Sequence, residues 1–116
     1  MTTAGNAKVF TLAVTNTVID MATEFKVINS GGQMVSKHSG YWLINKSVTA
    51  AEVIWFRMDS TPTSPNPATV DGPDCWPLRS GERVLIPICN RIDAISESGT
   101  PKLIITGDMN STLLYA

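Results

Sequence analysis

GYWLINK (40–46), EVIWFRM (52–58) and RVLIPI (83–88) are the runs whose reading decides the fold. In the second run Ile54, Phe56 and Met58 fall on one face while Val53, Trp55 and Arg57 fall on the other, which is the two-residue period of a strand. Both faces carry a large apolar group. A lone sheet facing water would alternate more cleanly, so this strand is expected to lie against a second sheet on one side and a loop or a neighbouring subunit on the other. Between the first two runs, Asn45, Lys46 and Ser47 supply the side-chain hydrogen bonding that turns favour, and residues 45–51 read as a turn that sets its neighbours antiparallel.

Outward from this centre the same reasoning covers most of the chain. Residues 1–7 are small and polar and are expected to form a mobile arm. The run 8–14 alternates as a first strand, with Phe10, Leu12 and Val14 on one face. Residues 17–28 read as a turn or short helix followed by a strand around Phe25 and Val27. SGGQMVSKHSG (30–40) is a connection in which Gly31 and Gly32 are free to take positive φ and Gly40 closes the loop. The stretch 59–81 stands apart: its 23 residues hold five of the seven prolines, Pro62, Pro65, Pro67, Pro73 and Pro77, and little strand periodicity. Loops of that length are either functional, ordered by contact, or surface excursions along a sheet edge. Val70, Cys75, Trp76 and Leu78 are costly to leave in water, so the second half of the loop is expected to pack on its own sheet or on another chain.

Ser80 and Gly81 then turn the chain into a strand with Val84, Ile86 and Ile88 on a shared face. Pro87 is expected at an edge or bulge because it has no N–H to give a ladder. Residues 91–96 form a short strand, 98–101 a tight turn, and 102–106 a strand with Leu103 and Ile105 inward. STLLYA (111–116) is a candidate last edge strand. Seven to eight short strands joined by turns predict a single all-β domain over 1–116, an antiparallel β-sandwich or jelly roll.

Bulk properties narrow the function classes. A chain of 116 residues is one domain, able to bury roughly 65% of its unfolded surface without metal or disulfide staples. The formal net charge is −1, and no cluster of Lys and Arg interleaved with aromatics offers a footprint for a phosphate backbone, so direct nucleic-acid binding is not expected. The start MTTAGNAK lacks the pattern of a secretory signal and no apolar run spans a bilayer, which predicts a protein made in the cytoplasm and not held in a membrane. Cys75 and Cys89 are accordingly expected as thiols.

A search for chemistry returns no catalytic, cofactor-binding or metal site. His38, the one histidine, sits in a Gly/Ser-rich loop, where a solvated residue is the usual outcome. Cys75, Cys89 and His38 lack zinc-ligand spacing. DGPD (71–74) lacks the ligand density of a calcium loop, and its aspartates read as turn formers. NKS (45–47) and NST (110–112) match a glycosylation pattern that matters only in a secreted chain. Trp42, Trp55 and Trp76 could build a sugar platform or serve as buried or interface tryptophans.

The order of parts WLINKSVTAAEVIWFRM (42–58), CWPLRSGERVLIPI (75–88) and RIDAISESGTPKLIITG (91–107) resembles small structural proteins of tailed bacteriophages, in particular capsid decoration or cement proteins. In these an Asn-containing hairpin ending in an aromatic-Arg strand is followed by a Pro-Leu and Gly-Glu turn, an apolar strand and a final hairpin through Ser-Gly-Thr. The resemblance spans 41–107, and the first 40 residues and the proline loop depart from it. It implies a non-enzymatic virion part on the capsid surface, a homo-oligomer (dimer or trimer) that binds the major capsid protein and strengthens the head shell. On that reading Pro62, Pro65, Pro67, Trp76 and Arg79 are the candidate partner contacts, with prolines lowering the ordering cost of the loop and Trp and Arg the residue types that anchor interfaces. The alternatives are a carbohydrate- or receptor-binding β-sandwich, which would need surface aromatics aligned beside Asn, Asp or Glu, and a head–tail joining protein. A small hydrolase ranks last, for want of a paired nucleophile and base.

Overall fold

The computed structural model describes residues 7–25, 27–28, 34–35, 40–58 and 67–108. In chain order the elements are β1 (Ala7–Thr11), β2 (Thr17–Asp20), a one-turn helix α1 (Met21–Glu24), β3 (Val27–Ile28), β4 (Met34–Val35), β5 (Gly40–Asn45), β6 (Ile54–Met58), β7 (Trp76–Leu78), β8 (Arg83–Pro87), β9 (Arg91–Ser96) and β10 (Lys102–Asp108). Eight strands make two four-stranded antiparallel sheets, sheet A in the order β1-β10-β5-β8 and sheet B in the order β2-β9-β6-β7, with β3 and β4 a separate two-stranded ribbon.

The pairs β1 with β10, β2 with β9, β5 with β8 and β6 with β7 are nested one inside the next. That is a long antiparallel hairpin wrapped over itself, and the contacts of β10 with β5 and of β9 with β6 complete the sheets. This winding is a jelly roll. One core lies between the sheets. Leu43, Tyr41, Ile86, Leu103 and Ile105 enter it from sheet A, and Ile19, Ile54, Phe56, Leu78, Ile92 and Ala94 from sheet B. Leu12, Met21 and Phe25 close its ends. Phe25 and Tyr41 stack obliquely with centroids 5.1 Å apart.

Several sequence expectations change at this level. The link after Asn45 is not a hairpin turn, because β5 and β6 belong to different sheets, and the same holds for the link from β9 to β10. Period two dictates which face of a strand is buried, but leaves open which neighbour pairs with it. Residues 17–28 hold the expected short helix followed by a strand, α1 then β3, with a further strand β2 ahead of them: Asp20 caps α1 by accepting from Thr23 N–H, so the helical turn is MATE and VID belongs to β2. Ala7 is already in β1, while Val14 lies beyond it and is exposed. Ile88 follows the end of β8 and is 43% exposed, so it does not share the core with Ile86.

The 59–81 stretch contains β7, whose three residues with a central proline gave no periodicity to read. Pro77 is tolerated because β7 is an edge strand, as is β8 with Pro87. Gly40 is required by packing: a Cβ there would stand 2.6 Å from the Ile86 carbonyl oxygen of the adjacent strand. Gly81, at φ +77°, takes the left-handed conformation that starts β8. Residues 1–6 of the arm expected over 1–7, the 30–33 and 36–39 parts of the glycine loop with His38, and the candidate strand 111–116 lie outside the described residues.

Candidate interaction surface

Two outer faces leave the sandwich, and they differ. On sheet A, alternation with the buried Leu43, Leu103, Ile105 and Ile86 turns the intervening residues outward. Register aligns them in rows across the sheet. One row is Val9, Ile104, Ile44 and Arg83; the next is Ala7, Thr106, Trp42 and Leu85. Val9 is 57% and Leu85 47% exposed, and the Arg83 guanidinium sits 5.1 Å from the Trp42 ring centroid. A sheet facing water is normally polar on that side. The two central rows of this one are mostly apolar, with Arg83 and Thr106 as their polar members, while Thr11, Lys102 and Asp108 lie on the same face at its ends.

Sheet B instead has part of its outer face covered by its own chain, around Asp93, while Val18 on the same face is 54% exposed. Asp93 points outward from β9 yet is fully buried. Its carboxylate accepts from Arg91 Nε at 2.8 Å and Nη2 at 3.0 Å and from Asn16 Nδ2 at 2.9 Å. Asn16 Oδ1 in turn accepts from the N–H of the buried Ala68 at 2.8 Å. A second tie links Arg57 to Asp74 at 3.9 Å. The Asp93 hydrogen bond raises the Arg91 pKa, against a smaller opposing effect of desolvation. A carboxylate with both oxygens engaged by donors is a fastener rather than a base. The chain segment 67–74 is therefore part of the domain wall. Asp71 and Asp74 both hold positive φ, at 53° and 62°, so DGPD is a pair of turns, as its residue types predict. Among the described residues no group of three His, Cys, Asp or Glu could hold a metal ion, and no helix is long and apolar enough to cross a membrane.

Of the candidate contacts, Pro62 and Pro65 lie outside the described residues. Pro67 is exposed at the start of the segment pinned to sheet B. Trp76 is 58% exposed on the edge strand β7. Arg79 extends its side chain into solvent while Glu82 holds its backbone, Oε1 accepting from Arg79 N at 2.6 Å. These three are separate: Pro67 begins the segment over sheet B, Trp76 lies on the β7 face that is in register with Phe56, and Arg79 is in the crossing from β7 to β8; none is a member of the apolar rows of sheet A. The tryptophans are dispersed: Trp42 is on the outer face of sheet A, Trp55 is on that of sheet B with Nε1 donating to Glu97 at 3.0 Å, and Trp76 alternates to the other side of its strand. They do not form one platform.

A third surface is the end of the sandwich where four crossings meet. Leu12 N bonds Pro101 O, Ser96 N bonds Ala13 O, Asn45 N bonds Glu82 O, and Lys46 N bonds Lys102 O, all between 2.8 and 3.0 Å. Inside this end the fully buried Asn45 donates from Nδ2 to Glu52 O at 2.8 Å and Leu78 O at 2.9 Å, and accepts from Ser47 N at 3.0 Å. An open cleft of about 420 Å³ lies beside the 46–52 loop, between Lys46 and Lys102. The sequence reading missed both this end and the sheet A face. The second had a signal: YWLI and LII are unbroken apolar runs, which put apolar groups on both faces of β5 and β10.

No family model matches this chain, and no curated protein or solved structure matches it either.

Proposed function

We propose that this chain is a non-enzymatic structural protein of a tailed-bacteriophage virion, a decoration or cement protein that binds the head shell built by the major capsid protein. The observation that supports it best is the apolar outer face of sheet A. Jelly rolls occur in capsid proteins and lectins alike, so topology does not choose between them. A row of Val9, Ile104 and Ile44 beside Trp42 and Leu85 suits burial against protein, whether a shell subunit or another copy in a dimer or trimer. A sugar site needs aromatics aligned beside polar groups, and the three tryptophans here are dispersed over separate surfaces. Trp76 and Arg79 on the β7 edge offer a second contact of the residue types that anchor interfaces.

Quantitative mass spectrometry of purified virions tests the reading. A copy number comparable to that of the major shell protein is the expected result. A handful of copies points to the head–tail junction, and absence from virions together with glycan binding points to a receptor module. Binding to shells stripped of this chain should also fall when Leu85→Glu puts a charge on the sheet A face, with the melting temperature unchanged.

A further inference from the structure

The apolar rows on the outer face of sheet A lie next to the point where the described chain ends. β10 finishes at Asp108 and is an inner strand, with β1 paired along one side and β5 along the other. Residues that follow Asp108 therefore have no free edge of β10 to pair with. Beneath the strand the space is filled by the core, through Leu103 and Ile105. A chain that turns back over this strand has only the outer face open to it.

Composition picks the same segment. Outside the described residues are 1–6, 26, 29–33, 36–39, 59–66 and 109–116, and only the last, MNSTLLYA, contains leucine or an aromatic residue. It has no charged side chain to desolvate on an apolar surface, and Asn110 and Ser111 are of the types that favour a reversal. Reach agrees. Packed layers lie about 10 Å apart, a height that three extended residues cover. With 109–111 making that climb, 112–116 span about 17 Å along the face. The row of Thr106, Trp42 and Leu85 lies about 7 Å back from Asp108, and the row of Val9, Ile104 and Ile44 about 14 Å back. Leu113 and Leu114 then fall over the first row and Tyr115 over the second.

We infer that 109–116 folds back over the outer face of sheet A of its own chain and covers these rows while no partner occupies them. Val9, 57% exposed, and Leu85, 47% exposed, are the side chains that gain most from this cover. Few side chains hold it while several residues lose their freedom, so the cover lifts for a larger protein surface.

The test is nuclear Overhauser spectroscopy on the full chain, with a mixture of isotope-labelled and unlabelled protein to tell contacts within a chain from contacts between chains. Leu113, Leu114 and Tyr115 should show contacts within the chain to Trp42, Val9 and Leu85. The variant Leu113→Ser, Leu114→Ser, Tyr115→Ser should lose them and bind an apolar dye such as anilinonaphthalene sulfonate severalfold more, with its melting temperature within a few degrees of wild type, because the three residues lie outside the core. Absence of the contacts, contacts only between chains, or unchanged dye binding would overturn the inference. Copy number in virions, which decides the shell-binding role, is independent of either outcome.

Discussion

Asn45 offers the sharpest test of how the two sheets are held together. Its side chain sits in the dry interior at the end of β5 and ties the 46–53 crossing to the end of β7 through the Glu52 and Leu78 carbonyls. Asn45→Ala removes both of those bonds and the one from Ser47 N. Each such bond is worth about 1 kcal/mol net, and the buried Leu78 oxygen pays a further desolvation penalty when its donor goes, so the expected cost is about 3–4 kcal/mol. Unfolding entropy of about 2.1 cal/mol/K per residue over 116 residues makes each kcal/mol worth about 4 °C, and the midpoint should drop by about 12–16 °C.

Asn45→Asp separates donor loss from volume loss. The carboxyl keeps the shape but turns both carbonyl contacts repulsive once it ionises, and burial raises its pKa above the unfolded value of about 3.9. The folded state then holds the proton to higher pH than the unfolded one. Stability should be best below about pH 4 and decline as pH rises through the raised folded value. Urea unfolding with unchanged slope, read at several pH values, measures both effects. An alanine variant melting within about 4 °C of wild type would refute the reasoning, since the sheets would then be joined without this side chain.

Phe56, fully enclosed between the sheets, should cost about 3–5 kcal/mol when truncated to Ala. Ile88→Ala, by contrast, should cost less than about 1 kcal/mol because the residue is 43% exposed; urea unfolding separates the two. Gly40→Ala drives a Cβ toward backbone rather than a flexible side chain, so a melting temperature equal to wild type would show that β5 and β8 are further apart than described. Cys75 and Cys89 are both thiols, half-buried and buried respectively, so alkylation of native protein should label Cys75 first, and denaturant without reductant should expose both; an intact mass with neither label would contradict this.

The alternation in EVIWFRM and KLIIT was enough to place Ile54, Phe56, Leu103 and Ile105 in the core, because side-chain direction in a strand is a local property. Strand pairing is not local. Whether β5 turns back on β6 or crosses to the other sheet depends on closure of the whole wound hairpin, and Asn45 and Gly81 read as turn residues in either case. The apolar outer face of sheet A was only half legible. The unbroken run YWLI announced two apolar faces, but that Trp42 aligns with Leu85, and Ile44 with Ile104, emerges only from register.

The wound topology also changes what the proline-rich stretch can be. By composition alone, 61–74 offers few groups to a core. Yet Ala68 is buried, its N–H binds Asn16, and Asn16 binds Asp93, a carboxylate on the outer side of sheet B that also accepts from Arg91. Removing 67–74 would uncover Asp93 and leave Arg57 without its tie to Asp74, so loss of partner binding in such a deletion would report a damaged sheet as much as a missing contact. The surfaces that can be altered without touching the fold are those where the fold is already complete beneath them. On the described residues the outer face of sheet A is such a surface, carried on strands whose inward side chains already form the core, so a binding defect there speaks for the contact itself.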